Sequence, residues 1–297
     1  MEDNTRLNAA FENVVFASEG NQESTVAPLN ADTLGGQLPS YYAKATKLTP
    51  RNLLDNSDFT NPVNQRGYTD GTLVNGYFID RWQGSSGNFN LSTNGIKINA
   101  GQMNQRILMS EMKEGAAYTL ACKVDGQILC YTGLEGFQIG VWEEGLTALF
   151  EPSYGLCIIY LTKIGGLYEW AALYEGEYTV DTLPEYQPKG YGAELAECQR
   201  YYQKRDYVIT ISQPINDNIV SGFNFMVPMR TNPTVTIYDN TGAVGKMSVW
   251  TSSGITDGIV VSQIARNTKW GVGYMVIGTT QSAISRLIYR FEASADL

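Results

Sequence analysis

Histidine is missing from this 297-residue chain, so its reactive repertoire rests on carboxylates, cysteines, hydroxyls and aromatic rings. Without an imidazole there can be no Ser-His-Asp triad, no Cys-His dyad and no His-ligated zinc. Chemistry carried by carboxylates alone stays open. Glu143 and Glu144 are adjacent, and neighbours on a strand point to opposite faces, so they do not make a glycosidase pair by themselves. Cys122, Cys130, Cys157 and Cys198 lack C-x-x-C spacing and sit in apolar or strand-like contexts. They read as four reduced, buried thiols rather than a zinc site. No D-x-D-x-D-G loop is present, so no metal and no cofactor are expected.

Aromatic residues beside loops are the stronger candidates for contact with a ligand. Trp250 in S-V-W-T-S-S-G and Trp270 in N-T-K-W-G-V-G stand next to polar, glycine-rich loops, with Lys269 and Arg266 able to anchor polar groups. Upstream, Tyr68 lies near Asn64, Gln65 and Arg66, and Trp142 closes the run Q-I-G-V-W-E-E-G at a strand end. Trp142 divides evenly between core and surface. Tyr77 is a further candidate, and Tyr154 and Tyr168 are loop-adjacent alternatives. Trp82 follows Asp80-Arg81 at a strand start and reads as core, with the two charges paired to each other.

The elements that must position these residues are mostly strands. Gly and Tyr are abundant and Thr, Ser and Asn recur through the hydrophobic runs, a mixture that favours sheets and turns. Tyr118, Leu120 and Cys122 alternate with Thr119, Ala121 and Lys123, a period of two, after a turn at Lys113-Glu114-Gly115. Phe223, Phe225, Val227 and Met229 alternate in the same way, as do Leu287, Tyr289 and Phe291. Pro228 inside such a run implies an edge strand or a bulge. Asp239-Asn240-Thr241-Gly242 and Asp257-Gly258 are turn signals. Between the two β-rich stretches, Pro184 and Pro188 punctuate a linker. After them Leu195, Cys198 and Tyr202 fall three and four apart, one face of a short helix. Glu194 and Glu197 in its first turns and Lys204 and Arg205 at its end suit the helix dipole.

This spacing predicts a mainly β chain in four parts. Residues 1–50 are a polar N-terminal segment, 51–190 a first β module, 191–205 a linker helix and 206–297 a second antiparallel β domain. Formal net charge is −9, and no basic stripe exists to displace counterions, which argues against nucleic acid. Residues 206–297 carry six acidic and six basic side chains, so the excess acid lies upstream. No apolar stretch is long enough to span a bilayer, and M-E-D-N-T-R-L-N does not read as a secretory signal.

Four strings carry a resemblance. "ALYEGEYTVDTLPEYQPKGYGAELAECQRYY" resembles the junction of many bacteriophage tail-fibre and receptor-binding proteins, where a strand of form L-E-G-x-x-T-x-x-x-P runs into E-E-L-x-x-C-Q-R-Y-Y. Glu175 and Gly176 match the first part, and Glu194, Leu195, Cys198, Gln199, Arg200, Tyr201 and Tyr202 the second. "NADTLGGQLPSYYAKA" is similar to a short repeat found where fibre shafts meet globular heads, with Gly35 and Pro39 departing from it. "RNLLDNSDFT" resembles the first strand of carbohydrate-binding jelly rolls, putting Leu53, Leu54 and Phe59 in the core around a turn at Asn56-Ser57-Asp58. "FNFMVPMRTNPTVT" is similar to C-terminal fibre heads.

The resemblance implies an N-terminal shaft-like segment, a jelly-roll β-sandwich, a linker helix and a C-terminal β-sandwich tip, assembled as a homotrimer. It implies a virion tail protein, made in the host bacterial cytoplasm, that binds bacterial surface polysaccharide and joins other tail or baseplate proteins through its N-terminus. Sugars would stack on Trp250, Trp270, Tyr68 or Trp142, with Lys269 and Arg266 hydrogen-bonding hydroxyls. Some carbohydrate-binding jelly rolls hold a structural Ca²⁺, for which Asp58 and Glu175 or Glu177 would be available. The alternatives are a tail or baseplate spacer without a ligand and a carboxylate-dependent glycan hydrolase. The last would normally show β-helix repeats of about twenty residues, and no such period is seen.

Overall fold

A computed structural model describes residues 50–210, 219–278 and 284–297. The expected shaft-like segment 1–50 therefore lies, except for Pro50, outside the described residues. Everything described belongs to one compact unit, and its architecture is mainly β, with two antiparallel sheets joined by a single described α-helix.

The first sheet contains β1 (Leu73–Ile79), β2 (Trp82–Ser92), β3 (Gly95–Leu108), β4 (Ala117–Val124), β5 (Gln127–Leu134), β6 (Ile139–Val141), β7 (Leu146–Glu151), β8 (Leu156–Leu161) and β9 (Leu167–Glu175). Its order is β5-β4-β9-β3-β8-β7-β6, with β2 on β3 and β1 on β2. β3 serves two layers: Ile96 and Lys97 pair with β9, whereas Met103 to Leu108 pair with β8. Between these stretches lies Gly101, at φ 70°, where a Cβ would stand 2.4 Å from the carbonyl oxygens of both Ser85 and Ser86. Only glycine fits there. The sheet curls until β5 lies beside β6, barrel-like around Leu54, Phe59, Trp82, Phe89, Leu120 and Ile159. Phe78 stacks on Phe89 at 4.1 Å, and Phe59 meets the Trp82 ring edge-on at 5.1 Å.

Alternation places Tyr118, Leu120 and Cys122 of β4 inward, as their spacing predicts, but Thr119 and Ala121 are buried too. The chain after β9 passes over that outer face. The Tyr178 carbonyl accepts from Thr132 and the Cys130 thiol, and Tyr186 stacks on Trp170 at 4.8 Å. The opening segment departs from expectation. Residues 51–60 do not form a strand but clip along β9 through Leu53 N to Leu173 O, Ala171 N to Ser57 O and Phe59 N to Glu169 O. Asn52 and Asn56 explain this, because their side-chain amides take backbone partners that a ladder would otherwise use. Leu54 and Phe59 are fully buried, and Leu53 partly so.

The helix α1 (Tyr191–Cys198) is shorter than the expected linker 191–205, since strand resumes at Tyr202. Its buried residues are Glu194 and Cys198, one turn apart, while Leu195 is half-buried. A carboxylate occupies the place read as leucine's because the Asn56 amide donates to Glu194.

The second sheet contains β10 (Tyr202–Thr210), β11 (Ile219–Asn224), β12 (Thr234–Tyr238), β13 (Lys246–Thr251), β14 (Gly254–Thr268), β15 (Gly271–Gly278) and β16 (Arg286–Ser294). Its order is β10-β16-β13-β14-β15-β11, with β12 also on β16. It curls into a half-barrel. Tyr207 of β10 packs 5.5 Å from Phe223 of β11, over a core that includes Phe225, Tyr289 and Phe291. Leu287, Tyr289 and Phe291 point inward, as their alternation predicts. Pro228 lies beyond β11 rather than inside a strand. Asp257-Gly258 is not a turn either but sits within β14, Gly258 taking φ 79°. The turn at Asp239–Gly242 forms, with the Asp239 carboxylate accepting from the amides of Thr241, Ala243 and Gly258. No described helix is long and apolar enough to cross a membrane.

Candidate functional site

Cross-strand register assembles one row of side chains on the outside of the first sheet. Gln83 of β2 pairs with Asn104 of β3, Asn104 with Tyr160 of β8, Tyr160 with Thr147 of β7, and Thr147 with Gly140 of β6. Directly opposed residues share a face. The alternate residues Met103, Ile159, Leu161, Leu146 and Ala148 fill the core, so the row points outward. Trp142 follows β6 in a 3-10 turn, Trp142–Glu144, and is 38 % exposed. Its ring lies 5.1 Å from that of Tyr160, tilted by 52°. Tyr160 is on β8 and Trp142 at the end of β6, with β7 between them. The ring contact therefore crosses β7, where Thr147 is the outward side chain. Thr147 is fully buried, and its hydroxyl has no hydrogen-bond partner among the described residues. An orphaned hydroxyl of this kind costs about 1–3 kcal/mol.

The surroundings are polar. Burial, reinforced by Glu151, pushes the Tyr160 phenol up, and Arg106 opposes the shift. Arg106 is two residues from Asn104 on the same face of β3. Its Nη1 donates to the Leu297 carbonyl at 2.9 Å, while its Nε is buried without a partner. Across the turn, the Tyr131 hydroxyl donates to the Glu144 carboxylate, and burial together with that carboxylate raises the Tyr131 phenol. Gly145 N and the Thr162 hydroxyl hold the Trp142 carbonyl at 3.1 and 2.8 Å. The arrangement offers an aromatic surface beside an amide, a hydroxyl and a guanidinium, the groups that stack on and hydrogen-bond a hydroxylated ring.

The other sequence candidates scatter. Trp250 is 39 % exposed on β13, under the Arg286 guanidinium at 4.9 Å. Trp270 is 60 % exposed in the β14–β15 turn, with the Lys269 ammonium 5.4 Å from its ring. Arg266 leans towards Tyr274 instead, 6.0 Å away. Trp250 adjoins the Gly254 end of β14 and Trp270 the Thr268 end. Fifteen strand residues at about 3.3 Å each separate them by roughly 45 Å, so they cannot share a ligand. Trp270 is also not at a free tip. Its carbonyl accepts from Phe225 N, Lys269 O accepts from Met229 N, and Arg230 N donates to Arg200 O just after α1. That hairpin end faces the junction with the first module, and Trp250 stands at the opposite end.

Tyr68 is committed to structure. Its hydroxyl lies 3.0 Å from the carbonyls of Thr72 and Phe89 and accepts from Phe89 N, and its ring packs edge-on to Phe78. Tyr168 is loop-adjacent, the second residue of β9, but fully buried and donating to Gly145 O, whereas Tyr154 is 76 % exposed in a 3-10 turn. Tyr77 reaches the Leu297 carbonyl. Trp82 is core, as expected. Asp80 and Arg81 are not a pair: Arg81 bonds Asp55 at 3.0 Å, and Asp80 accepts from Gln65.

Asp55, Glu194 and Glu197 are the described cluster with ligand-like spacing, their oxygens within 4.8 Å of one another. The Lys189 ammonium bonds both Asp55 and Glu197, so the chain's own cation fills this cluster. Asp58, proposed for Ca²⁺, instead holds Thr60, and Glu175 sits beside Lys113. All four cysteines are free; Cys122, Cys157 and Cys198 are buried and Cys130 partly so. Burial pushes the Cys122 and Cys157 thiols up to about 12. A cleft of about 640 Å³ opens among Pro50, Arg51, Leu53, Met112, Tyr118 and Glu175, and none of the aromatic residues proposed for ligand contact lines it.

Asn104, Thr147 and Tyr160 were not legible as a site. β8 reads L-C-I-I-Y-L, apolar or aromatic at every position, so alternation cannot say which side faces out. No protein family and no curated protein matches the chain.

Proposed function

We propose that the chain attaches a phage, or a phage-tail-derived particle, to bacterial surface glycans, and that the outer face of the first sheet holds the sugar. The observation that carries this reading is the half-exposed Trp142 ring against Tyr160, which shares one row with Asn104 and Thr147. An aromatic surface bordered by an amide and hydroxyls suits a neutral pyranose. The tail-fibre-like strings around Glu175–Tyr202 support the setting: a homotrimer in the virion tail, joined to other tail or baseplate proteins through its N-terminus. Each site would bind weakly, and three per fibre would raise avidity without new contacts.

The experiment is binding of the full-length protein and Trp142→Ala to intact bacteria and their purified wall polysaccharides. Trp142→Ala is expected to lose about tenfold or more, the 1.4 kcal/mol scale of one aromatic contact. Unchanged binding removes the site from this face. A spacer without its own ligand is the second reading, favoured by the part-buried Arg66–Asp296 ion pair that ties the two modules together. Absence of any cell or polysaccharide binding by the intact protein would establish it.

A further inference from the structure

We propose that the Trp142 side chain is a movable cover over Thr147, and that a hydroxyl of a neutral sugar takes the Thr147 hydroxyl when the ring turns aside. This rests on the glycan-binding reading above and assigns it a hidden polar contact.

Three observations support it. First, Thr147 is fully buried with an unpartnered Oγ1, whereas buried polar side chains nearly always have a partner. Its alternation with Leu146 and Ala148 turns it out of the core, towards the surface that Trp142 and Tyr160 cover. Second, the cover is one side chain. The turn that carries it is fixed through the Trp142 carbonyl, by Gly145 N and the Thr162 hydroxyl. The indole takes no part in those bonds, so it can change rotamer with the backbone in place. The ring is already 38 % exposed and touches Tyr160 on one side. Third, the chemistry of the uncovered group selects the ligand. A threonine hydroxyl both donates and accepts, which matches an alcohol. The Asn104 amide beside Tyr160 has the same dual character; Tyr160 remains beneath the sugar and the displaced indole flanks it, so both rings stack and Trp142→Ala still loses binding.

The test uses Thr147→Val, which keeps shape and removes the hydroxyl, beside Thr147→Ser, which restores it, and Trp142→Ala. Binding is read on immobilised glucose, galactose, rhamnose and N-acetylglucosamine tetrasaccharides and on intact cells, with melting temperature followed in parallel. Thr147→Val is expected to melt about 2–4 °C higher and to bind about tenfold more weakly, with Thr147→Ser close to wild type. Wild-type affinity in Thr147→Val, while Trp142→Ala loses binding, overturns the cover and leaves the glycan face standing. Unchanged binding in Trp142→Ala, or no binding by the wild type, overturns the glycan face and the cover with it.

Discussion

Asp80 shows how a single side chain can be legible in type and illegible in role. The D-R-W string identifies Trp82 as core, and the natural reading pairs Asp80 with Arg81. Arg81 instead takes φ 69°, which swings its guanidinium to Asp55 at 3.0 Å and over the Tyr201 ring at 3.5 Å. Asp80 is left 1 % exposed, accepting from the Gln65 amide at 2.6 Å and from its side chain at 2.9 Å. Burial pushes this carboxyl up to about 6, beyond what those bonds and Arg66 recover. In the unfolded chain it titrates near its ordinary value of 3.8. Between these two values the folded state holds the extra proton, so this group's contribution to stability falls as pH rises through the window and is flat above it. About two units at 1.4 kcal/mol each make the effect on the order of 3 kcal/mol. Stability in urea, measured from pH 4 to 7.5, should decline less steeply with pH in Asp80→Asn than in the wild type. Parallel curves would show that Asp80 is not the buried proton site.

At the scale of elements, alternation was sound where the residues of the two faces differ in character and silent where they do not. β4 and β16 oriented themselves from spacing alone, because Leu120 and Tyr289 differ in character from their neighbours. β8 did not, and the candidate row depends on it. The span of β14 is likewise a matter of pairing: Asp257-Gly258 reads as a turn, yet both residues are in strand, and the extra length carries Trp250 and Trp270 apart. β3 depends on one residue. Gly101→Ala would force a Cβ against two carbonyl oxygens at a positive φ, a strain of about 1–3 kcal/mol. The denaturation midpoint should fall accordingly, and an unchanged midpoint would mean that the bend relaxes at no cost. Because β3 also carries Asn104, weaker sugar binding should accompany the loss.

For the whole molecule, the stretch around α1 reads in sequence as a linker, but its contacts make it a clasp. Arg66 bonds Asp296 at 2.5 Å, with its guanidinium 4.6 Å from the Tyr77 ring and 4.0 Å from that of Tyr202. Gln65 donates to Tyr202 O, while Tyr77 and Arg106 donate to Leu297 O. Residues from both sheets therefore share one buried polar network. The wild type should unfold in a single calorimetric transition. Arg66→Ala leaves Asp296 without its cation, a loss of about 3 kcal/mol for a buried pair, and should split the melt, the second module unfolding first. A single transition in that variant would mean that the remaining contacts couple the modules unaided.

By itself the sequence determined the β-rich class, two modules about a short helix, the buried Trp82 and the inward faces of β4 and β16. Each of these follows from local spacing of apolar residues, which acts within a few residues of the chain. It also carried the tail-fibre resemblance, which names a setting rather than a contact. Only the tertiary structure decided which carboxylate meets which cation, that Lys189 fills the acidic cluster, and that Trp270 faces the junction. It alone set the Trp142 ring against Tyr160, which pairs with Thr147. The physical reason is register: Asn104, Thr147 and Tyr160 are far apart in sequence and become neighbours only when β3, β8 and β7 pair, and no local propensity encodes that pairing.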